Sequence, residues 1–209
     1  TDLYLAASTN VTRGQDKLKL AAQASVAYIP SLDRLAWAGE QGFGGFRLSE
    51  PGDPETVYSN TGYVQPGPND GQRPIGTVEL ENGEILFLKQ RSAYFPVPNT
   101  GDPTTWELKQ KWDKVGPCGP RAFDKHKNAL AFAHRSGVYL YQGAKPESLS
   151  YEIEVNESGL SSPSWDGINW EYEHLIWVRF DEVTKTIYVG APYAQALVPN
   201  LIFKCYFGE

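Results

Sequence analysis

Short apolar runs arranged in pairs dominate the hydrophobic pattern of the chain. Within each pair the two runs are separated by a short turn of glycine, polar or charged residues, which is the pattern of a β-hairpin. Four such pairs follow one another along the sequence: Leu35–Ala38 with Gly45–Ser49, Glu84–Lys89 with Ser92–Phe95, Ala129–His134 with Val138–Tyr141, and His174–Phe180 with Thr186–Val189. The pattern therefore predicts four antiparallel hairpins.

Apolar residues occupy both faces of these predicted strands. In the second hairpin Ile85 and Phe87 point to one side, while Leu86 and Leu88 point to the other. A strand with one face in water would alternate apolar and polar residues. The hairpins therefore predict small sheets that are covered on both faces.

A turn containing proline follows each hairpin, and these turns recur at a nearly constant interval. Pro54, Pro103, Pro146 and Pro192 are separated by 43 to 49 residues, and the first two belong to Gly-Asp-Pro triplets. A repeat of this length that carries several short strands is the period of a β-propeller blade. We therefore predict an all-β, β-propeller-like fold of about four blades with four antiparallel strands each, either a small ring or an arc of a larger one. A β-sandwich of similar strand count is the alternative.

One more strand precedes each hairpin and would complete the inner side of the blade. The predicted innermost strands are Ser25–Ile29, Ile75–Leu80, Pro120–Phe123 and Ile168–Tyr172. Residues 1–24 lie outside the repeat, although Leu3–Leu5 and Lys17–Leu20 have the pattern of strands. The predicted organisation is N-terminal strands at 1–24 and a propeller-like domain at 25–209, which ends on the apolar strand Leu201–Phe207.

Composition supports this fold and excludes some classes of binding partner. The 209 residues include 6 Trp, 12 Tyr and 9 Phe with 20 Gly and 15 Pro, as expected for sheets joined by many tight turns. The formal net charge of −6 argues against broad binding to phosphates, which needs clustered Lys and Arg. No stretch approaches the roughly 20 apolar residues of a membrane-spanning helix, so no membrane span is predicted. The absence of Met leads us to expect a processed chain or a fragment of a longer protein.

Four stretches of the chain carry a resemblance to a known family: Phe46–Glu55, Asn82–Tyr94, Gly116–Ala122 and Ser136–Gly143. Their order of strands and turns resembles that of the propeller-type tail proteins of short-tailed phages, which are hub, nozzle and stabilisation proteins. The resemblance spans about residues 33–155. It implies rigid blades in a virion or extracellular setting, around a DNA exit channel and holding neighbouring tail proteins. The chain would then meet DNA only as part of the lining of that channel. Its negative charge would keep the DNA from adhering to the lining.

Motifs for catalysis, metal binding or cofactor binding are missing from the sequence. It contains no Gly-x-Ser-x-Gly elbow, no Walker loop and no Cys-x-x-Cys pair. His126, His134 and His174 are not spaced as metal ligands. Cys118 and Cys205 are too few for a disulfide framework and are either two thiols or one pair. We therefore predict a protein that is not an enzyme and that uses no cofactor or metal.

A glycan-binding or glycoside-hydrolysing propeller is the alternative function. Glu171 and Glu173 would share one face of the predicted strand Ile168–Tyr172, and two carboxylates about 5 to 10 Å apart can hydrolyse a glycosidic bond. The aromatic residues that would stack on sugars are Tyr63, Trp112, Trp165 and Trp170. The competing interpretation places these tryptophans in the core and these glutamates in solvent or along a channel.

The sequence as a whole predicts a structural or interaction module that binds neighbouring proteins or copies of itself. The loop Gln65–Gly71 is rich in Pro and Gly and is the predicted protruding contact surface. A glycan ligand belongs to the alternative function only.

Overall fold

The computed structural model describes residues 3–5, 18–40, 42–54, 56–58, 60–149 and 164–207, with their side chains from residue 25 onward. These residues form β-strands and short 3-10 helices in two compact units, Thr1–Lys114 and Val115–Glu209. Each unit contains two antiparallel sheets in which every strand pairs with the next strand in the sequence. The predicted boundary at residue 24 stays a prediction.

The first unit contains a five-stranded and a four-stranded sheet. The first sheet consists of β1 (Leu3–Leu5), β2 (Leu18–Ile29), β3 (Arg34–Glu40), β4 (Phe46–Leu48) and β5 (Tyr63–Val64). The second sheet consists of β6 (Pro74–Glu79), β7 (Ile85–Lys89), β8 (Ser92–Val97) and β9 (Glu107–Asp113). β2 joins the strands predicted at Lys17–Leu20 and Ser25–Ile29 into one strand, with an irregularity in its pairing to β3 between those two parts.

The second unit contains a four-stranded and a three-stranded sheet. The third sheet of the chain consists of β10 (Phe123–His126), β11 (Ala129–His134), β12 (Gly137–Tyr141) and β13 (Glu147–Ser148). The fourth sheet consists of β14 (Trp177–Asp181), β15 (Thr186–Ala191) and β16 (Leu201–Tyr206). The four predicted hairpins are therefore present as β3–β4, β7–β8, β11–β12 and β14–β15.

These four sheets confirm the predicted all-β fold with about four blade-like, antiparallel sheets. They are four small sheets with three to five strands each, whereas a β-sandwich has two broad ones. Within the described ranges no sheet closes on itself.

Burial on both faces is confirmed for β7, β11 and most of β12, but not for β14, where Arg179 is exposed. β7 is buried at every position, and Leu86, Phe87 and Leu88 are 0% exposed. In the first unit the rings of Phe46 and Phe87 lie 5.0 Å apart in one core. The second unit has its own core, which includes β14 and β15 residues and the thiols of Cys118 and Cys205, which form no disulfide.

The predicted innermost strand Ile168–Tyr172 is wrong. Trp170–Leu175 form a 3-10 helix, and Ile168 makes only an isolated bridge to Tyr193. The backbone closes on itself there, because Tyr172 N–H donates to Asn169 O and Ile176 N–H donates to Glu173 O. Alternating large side chains favoured a strand in the sequence, but these local hydrogen bonds replace the sheet ladder. The fourth sheet consequently has three strands instead of four.

The Gly-Asp-Pro repeat has a clear local cause in the second of its two copies. Asp102 Oδ1 accepts the backbone N–H and the hydroxyl of Thr104, at 2.9 and 2.7 Å, and so caps the 3-10 helix Pro103–Thr105. Proline fits the first turn of such a helix because that position needs no N–H. The turn leads the chain from β8 into β9.

A buried arginine ties this turn to the first sheet. The Arg34 side chain is 3% exposed, and its guanidinium donates to Ser49 O at 2.5 Å and to Gly101 O at 2.8 Å. Burial lowers the pKa of Arg34, while the carboxylates of Glu50 and Asp102 act in the opposite direction. The arginine therefore joins β3, the end of β4 and the Gly101 turn within the first unit.

Candidate functional site

The six residues that the sequence analysis selected do not converge on one point. Tyr63 lies on β5 and Trp112 on β9, in the first unit. The other four lie within ten residues of each other in the second unit: Trp165, Trp170, Glu171 and Glu173. The second unit therefore holds the only group of these residues that the structure brings together.

Three of those four residues surround Arg135, and we call Arg135, Trp165, Trp170 and Glu173 the Arg135 cluster. Arg135 lies in the turn between β11 and β12, and its Nη2 and Nε are 3.1 and 3.3 Å from Glu173 Oε2. Its guanidinium carbon is 5.8 Å from the centre of the Trp170 ring. The Trp165 ring packs edge-on against Trp170, with centres 6.0 Å apart.

The Trp165 indole also anchors the turn itself. Its Nε1–H donates to the carbonyl oxygens of His134 and Arg135, each at 3.0 Å. The ring is partly buried and packs on Phe203 in the core, with ring centres 5.1 Å apart. Trp165 therefore serves both as a core residue and as a hydrogen-bond donor to the β11–β12 turn.

Glu171 and Glu173 do not form the carboxylate pair that the sequence predicted. They lie on the 3-10 helix Trp170–Leu175, where residues two apart point in different directions, rather than on one face of a strand. Glu171 is exposed, whereas the Glu173 side chain is 14% exposed and is paired with Arg135. The geometry thus separates an open carboxylate from a neutralised one.

A hydroxyl and an imidazole lie beside the Arg135 cluster in the same turn. His134 Nδ1 is 2.7 Å from Ser136 Oγ and accepts the Ser136 backbone N–H at 3.2 Å. Ser136 Oγ is also 2.8 Å from the Tyr139 hydroxyl. Because these contacts bridge residues two or three apart across a tight hairpin, they fix the turn conformation.

Sequence reasoning missed Arg135 as the centre of this group. The available signal was its position in a two-residue turn between two strongly apolar strands, which places a side chain at the tip of a hairpin. Its partners are 30 to 38 residues away in the sequence, so no local pattern identifies them.

Tyr63 belongs to a second arginine-centred group, in the first unit. The Arg47 guanidinium lies 4.3 Å from the centre of the Phe43 ring and 5.6 Å from that of Tyr63. Arg47 Nε is 2.5 Å from Glu40 Oε2. Tyr63 is half-buried, and its ring meets Phe43 edge-on at 5.6 Å. The group packs β3, β4 and β5 together.

Gly45 immediately precedes β4, beside this group, and the backbone there approaches β5 closely. A Cβ atom at Gly45 would lie 2.5 Å from the carbonyl oxygen of Val64 and 2.7 Å from the Phe43 ring. Both distances are far below van der Waals contact, so only glycine fits without a backbone shift.

Trp112 is not available as a sugar-stacking platform in this structure. Its side chain is 7% exposed, and it lies in β9 opposite Ala93 of β8. This placement agrees with the competing interpretation, in which tryptophan fills the space between sheets.

A buried lysine of β7 holds the loop Gln65–Gly71, which was predicted to protrude, against the second sheet. Lys89 is 1% exposed, and its ammonium donates to Pro66 O at 2.9 Å and to Asp70 Oδ1 at 2.7 Å. Within the loop, Pro66 is buried, whereas Pro68 and Asn69 are exposed.

Among the described residues, four of the seven exposed large apolar side chains lie at residues 197–206, within β16 or just before it. We call Leu197, Val198, Ile202 and Tyr206 the β16 surface; they are 60, 63, 55 and 45% exposed. Within β16 the exposed residues alternate with Phe203 and Cys205, which are 5 and 0% exposed. The strand therefore has one face in the core and one face in solvent, and the solvent face carries Ile202, Lys204 and Tyr206.

Comparison of the chain with protein-family models and with curated proteins finds no match. Among the described residues, no group of three or more His, Cys, Asp or Glu side chains is arranged to hold a metal ion. A search of the same residues finds no helix with the length and apolar character to span a membrane.

Proposed function

We propose that the chain is a structural module whose blade-like sheets hold neighbouring protein chains, as the resemblance to propeller-type tail proteins of short-tailed phages implies. The β16 surface is the observation that supports this proposal. Four large apolar side chains within ten residues are about half exposed or more. Covering such side chains with a partner removes apolar surface from water, which favours binding.

The small sheets suit this role because their strand edges and loops are held by a rigid, buried core. β7 and most of β11 are fully buried, so the sheets resist deformation when a neighbour binds. The setting that fits such a module is a virion, with other tail components as its neighbours.

The test combines the chain with its natural neighbours. The protein is co-expressed with each structural protein encoded beside its gene, and complexes are separated by size-exclusion chromatography. We expect at least one stable complex, which Leu197→Ser with Val198→Ser abolishes. Val183→Ser is the matched control, because Val183 is 91% exposed in the β14–β15 turn of the same unit.

Two results would contradict the proposal. The first is that none of the encoded neighbours binds the wild-type chain. The second is that the double variant and the control bind equally well, which would remove the β16 surface from the argument.

Glycan binding at the Arg135 cluster is the second candidate function. The observation that favours it is the combination of two partly buried indoles with an arginine and a carboxylate, groups that stack on sugars and bond to hydroxyls. A glycan array with the wild-type chain and with Trp170→Ala tests it. Binding that requires Trp170 supports this candidate, and an empty array ends it. Glu171→Gln and Glu173→Gln then show whether either carboxylate contributes.

A further inference from the structure

We propose that the outer edge of β16 accepts an extended segment of a neighbouring protein as a fourth strand of the fourth sheet, and that this segment presents an acidic residue between two apolar ones. The inference rests on the proposed function and specifies the partner. The deciding observations are the direction of the β16 backbone groups and the charges on the exposed face of the sheet.

The hydrogen-bond pattern defines which residues of β16 face outward. Phe207 N–H donates to Lys185 O, and the register pairs Cys205 with Ile187. Backbone groups alternate in direction along an antiparallel strand, so Phe203 and Cys205 point their N–H and C=O groups toward β15. The backbone groups of Ile202, Lys204 and Tyr206 consequently point away from the sheet.

The opposite edge of the sheet, formed by β14, provides an internal check of this alternation. The outward backbone groups of β14 are already hydrogen-bonded. The same alternation turns the backbone of Val178 and Phe180 outward from β14. There, Val178 N–H donates to Arg121 O at 3.0 Å and Phe180 N–H donates to Asp124 Oδ2 at 3.0 Å. No described strand pairs with β16 on its outer side. Within the part of the chain that the structure describes, the β16 edge is therefore the one that offers hydrogen-bonding groups to a partner.

The charge on the exposed face selects the partner. The register aligns Arg179, Tyr188 and Lys204 in one row across the three strands, and the Lys204 ammonium lies 5.8 Å from the Tyr188 ring centre. Neither Arg179 nor Lys204 forms an ion pair with a carboxylate among the described residues. Asp181, the nearby acidic residue of β14, is bound to the turn through Thr184. An acidic side chain opposite Lys204 would therefore meet unpaired positive charge.

The same lysine argues against a second copy of this chain as the occupant. Two β16 strands that use all three outward residues would pair antiparallel with Lys204 opposite Lys204 and Ile202 opposite Tyr206. Like charges directly opposite in such a pair are destabilising. A lysine on an edge strand prevents self-pairing in this way while leaving the edge open to a strand of opposite charge.

The side chains of the incoming strand follow from the register. The residue opposite Lys204 is Asp or Glu, and the residues opposite Ile202 and Tyr206 are apolar, since those two side chains are about half exposed. The recognised segment thus reads apolar, any, acidic, any, apolar. Main-chain hydrogen bonds supply the affinity and these alternating positions supply the selectivity.

The experiment uses a synthetic peptide and an isotope-labelled full chain. The probe is acetyl-Thr-Val-Thr-Glu-Thr-Val-Thr-amide, and its partner probe has Lys in place of Glu. We expect the Glu peptide to shift the backbone amide signals of Ile202, Lys204 and Tyr206 in NMR spectra and to slow their hydrogen exchange. The amides of Phe203 and Cys205, already bonded to β15, should change little.

Two variants test the chemistry of the edge. Ile202→Pro removes an outward N–H without removing a bond to β15, and it should abolish binding. Lys204→Glu should reverse the preference, so that the Lys peptide binds about threefold to fivefold better than the Glu peptide. Lys185→Glu, in the exposed turn before β15, is the matched control and should keep the wild-type preference. If Ile202→Pro fails to fold, the Lys204→Glu exchange still decides the question.

The inference is overturned if the outward amides do not respond, if Lys204→Glu leaves the preference unchanged, or if these amides are protected in a concentration-dependent way that indicates a second copy. Its failure is distinguishable from that of the proposed function. If an encoded neighbour still binds Ile202→Pro but not Leu197→Ser with Val198→Ser, strand addition is wrong and the interaction module stands. If the peptide binds as expected and no encoded neighbour does, the proposed function is wrong.

Discussion

Replacing Arg34 by methionine should destabilise the first unit by about 2 to 4 kcal/mol. Methionine keeps much of the apolar length of the side chain but removes the guanidinium, which donates to Ser49 O and Gly101 O. A hydrogen bond from a charged group is worth roughly 1.5 to 3 kcal/mol. Ser49 is 0% exposed, so its carbonyl loses that donor without gaining water, whereas Gly101 is exposed and is rehydrated. The expected loss is therefore the full contribution of the first hydrogen bond and part of that of the second.

Urea unfolding measures the loss of stability, and hydrogen exchange measures the loosening of the Gly101 turn. The free energy of unfolding should fall as stated, and the amides of Thr105 and Trp106 should exchange faster, because the turn that holds them loses its anchor. Arg91→Met is the matched control, since Arg91 is exposed, and it should change the free energy by less than about 0.5 kcal/mol. If Arg34→Met is as mild as this control, the guanidinium does not hold the turn and the reasoning fails.

Two further predictions concern a close backbone approach and an acidic turn. Gly45→Ala should destabilise the first unit by roughly 1 to 3 kcal/mol in thermal unfolding, because the new Cβ collides with the backbone of Val64. Gly101→Ala is the control and should be nearly neutral, since no atom lies within 4 Å of its Cβ position. Equal melting curves for the two variants would contradict this prediction. The Asp181 carboxylate accepts from the Thr184 hydroxyl and from turn amides, which lowers its pKa below the usual 3.8. The resulting stabilisation is present above the pKa of the unfolded chain and is lost as the pH falls through the lower folded value, so NMR titration should show a low pKa that rises in Thr184→Val. A carboxyl that titrates alike in both proteins would refute the assignment.

The hairpins were predictable because their signals are local. The second hairpin combines a continuous apolar run at Ile85–Leu88 with a tight turn, and the structure places the fully buried strand β7 there. The repeat of Gly-Asp-Pro was readable for the same reason, since Asp102 caps its own turn through Thr104. In both cases the residues that decide the conformation are neighbours in the sequence.

The Arg135 cluster and the segment before β14 were not predictable in the same way. Trp170–Leu175 alternates large and acidic residues like a strand, yet backbone hydrogen bonds of the i to i+3 kind shape it. Arg135 finds Glu173 across 38 residues, and the sequence carries no pattern at that separation. Local backbone bonds and tertiary contacts decided these features, so the alternation that placed Glu171 and Glu173 on one strand face was misleading.

The two candidate functions differ in what a ligand must displace. In the Arg135 cluster, Arg135 and Glu173 already neutralise each other and Trp165 Nε1 already donates to two carbonyls, so a glycan would compete with existing contacts. At the β16 edge an incoming strand would form backbone hydrogen bonds with Lys204 and its outward neighbours without breaking any pairing of the sheet. It would also cover apolar side chains that water now contacts. Because strand addition breaks no contact between described residues, whereas a glycan would displace several, we propose a protein strand as the ligand of this fold.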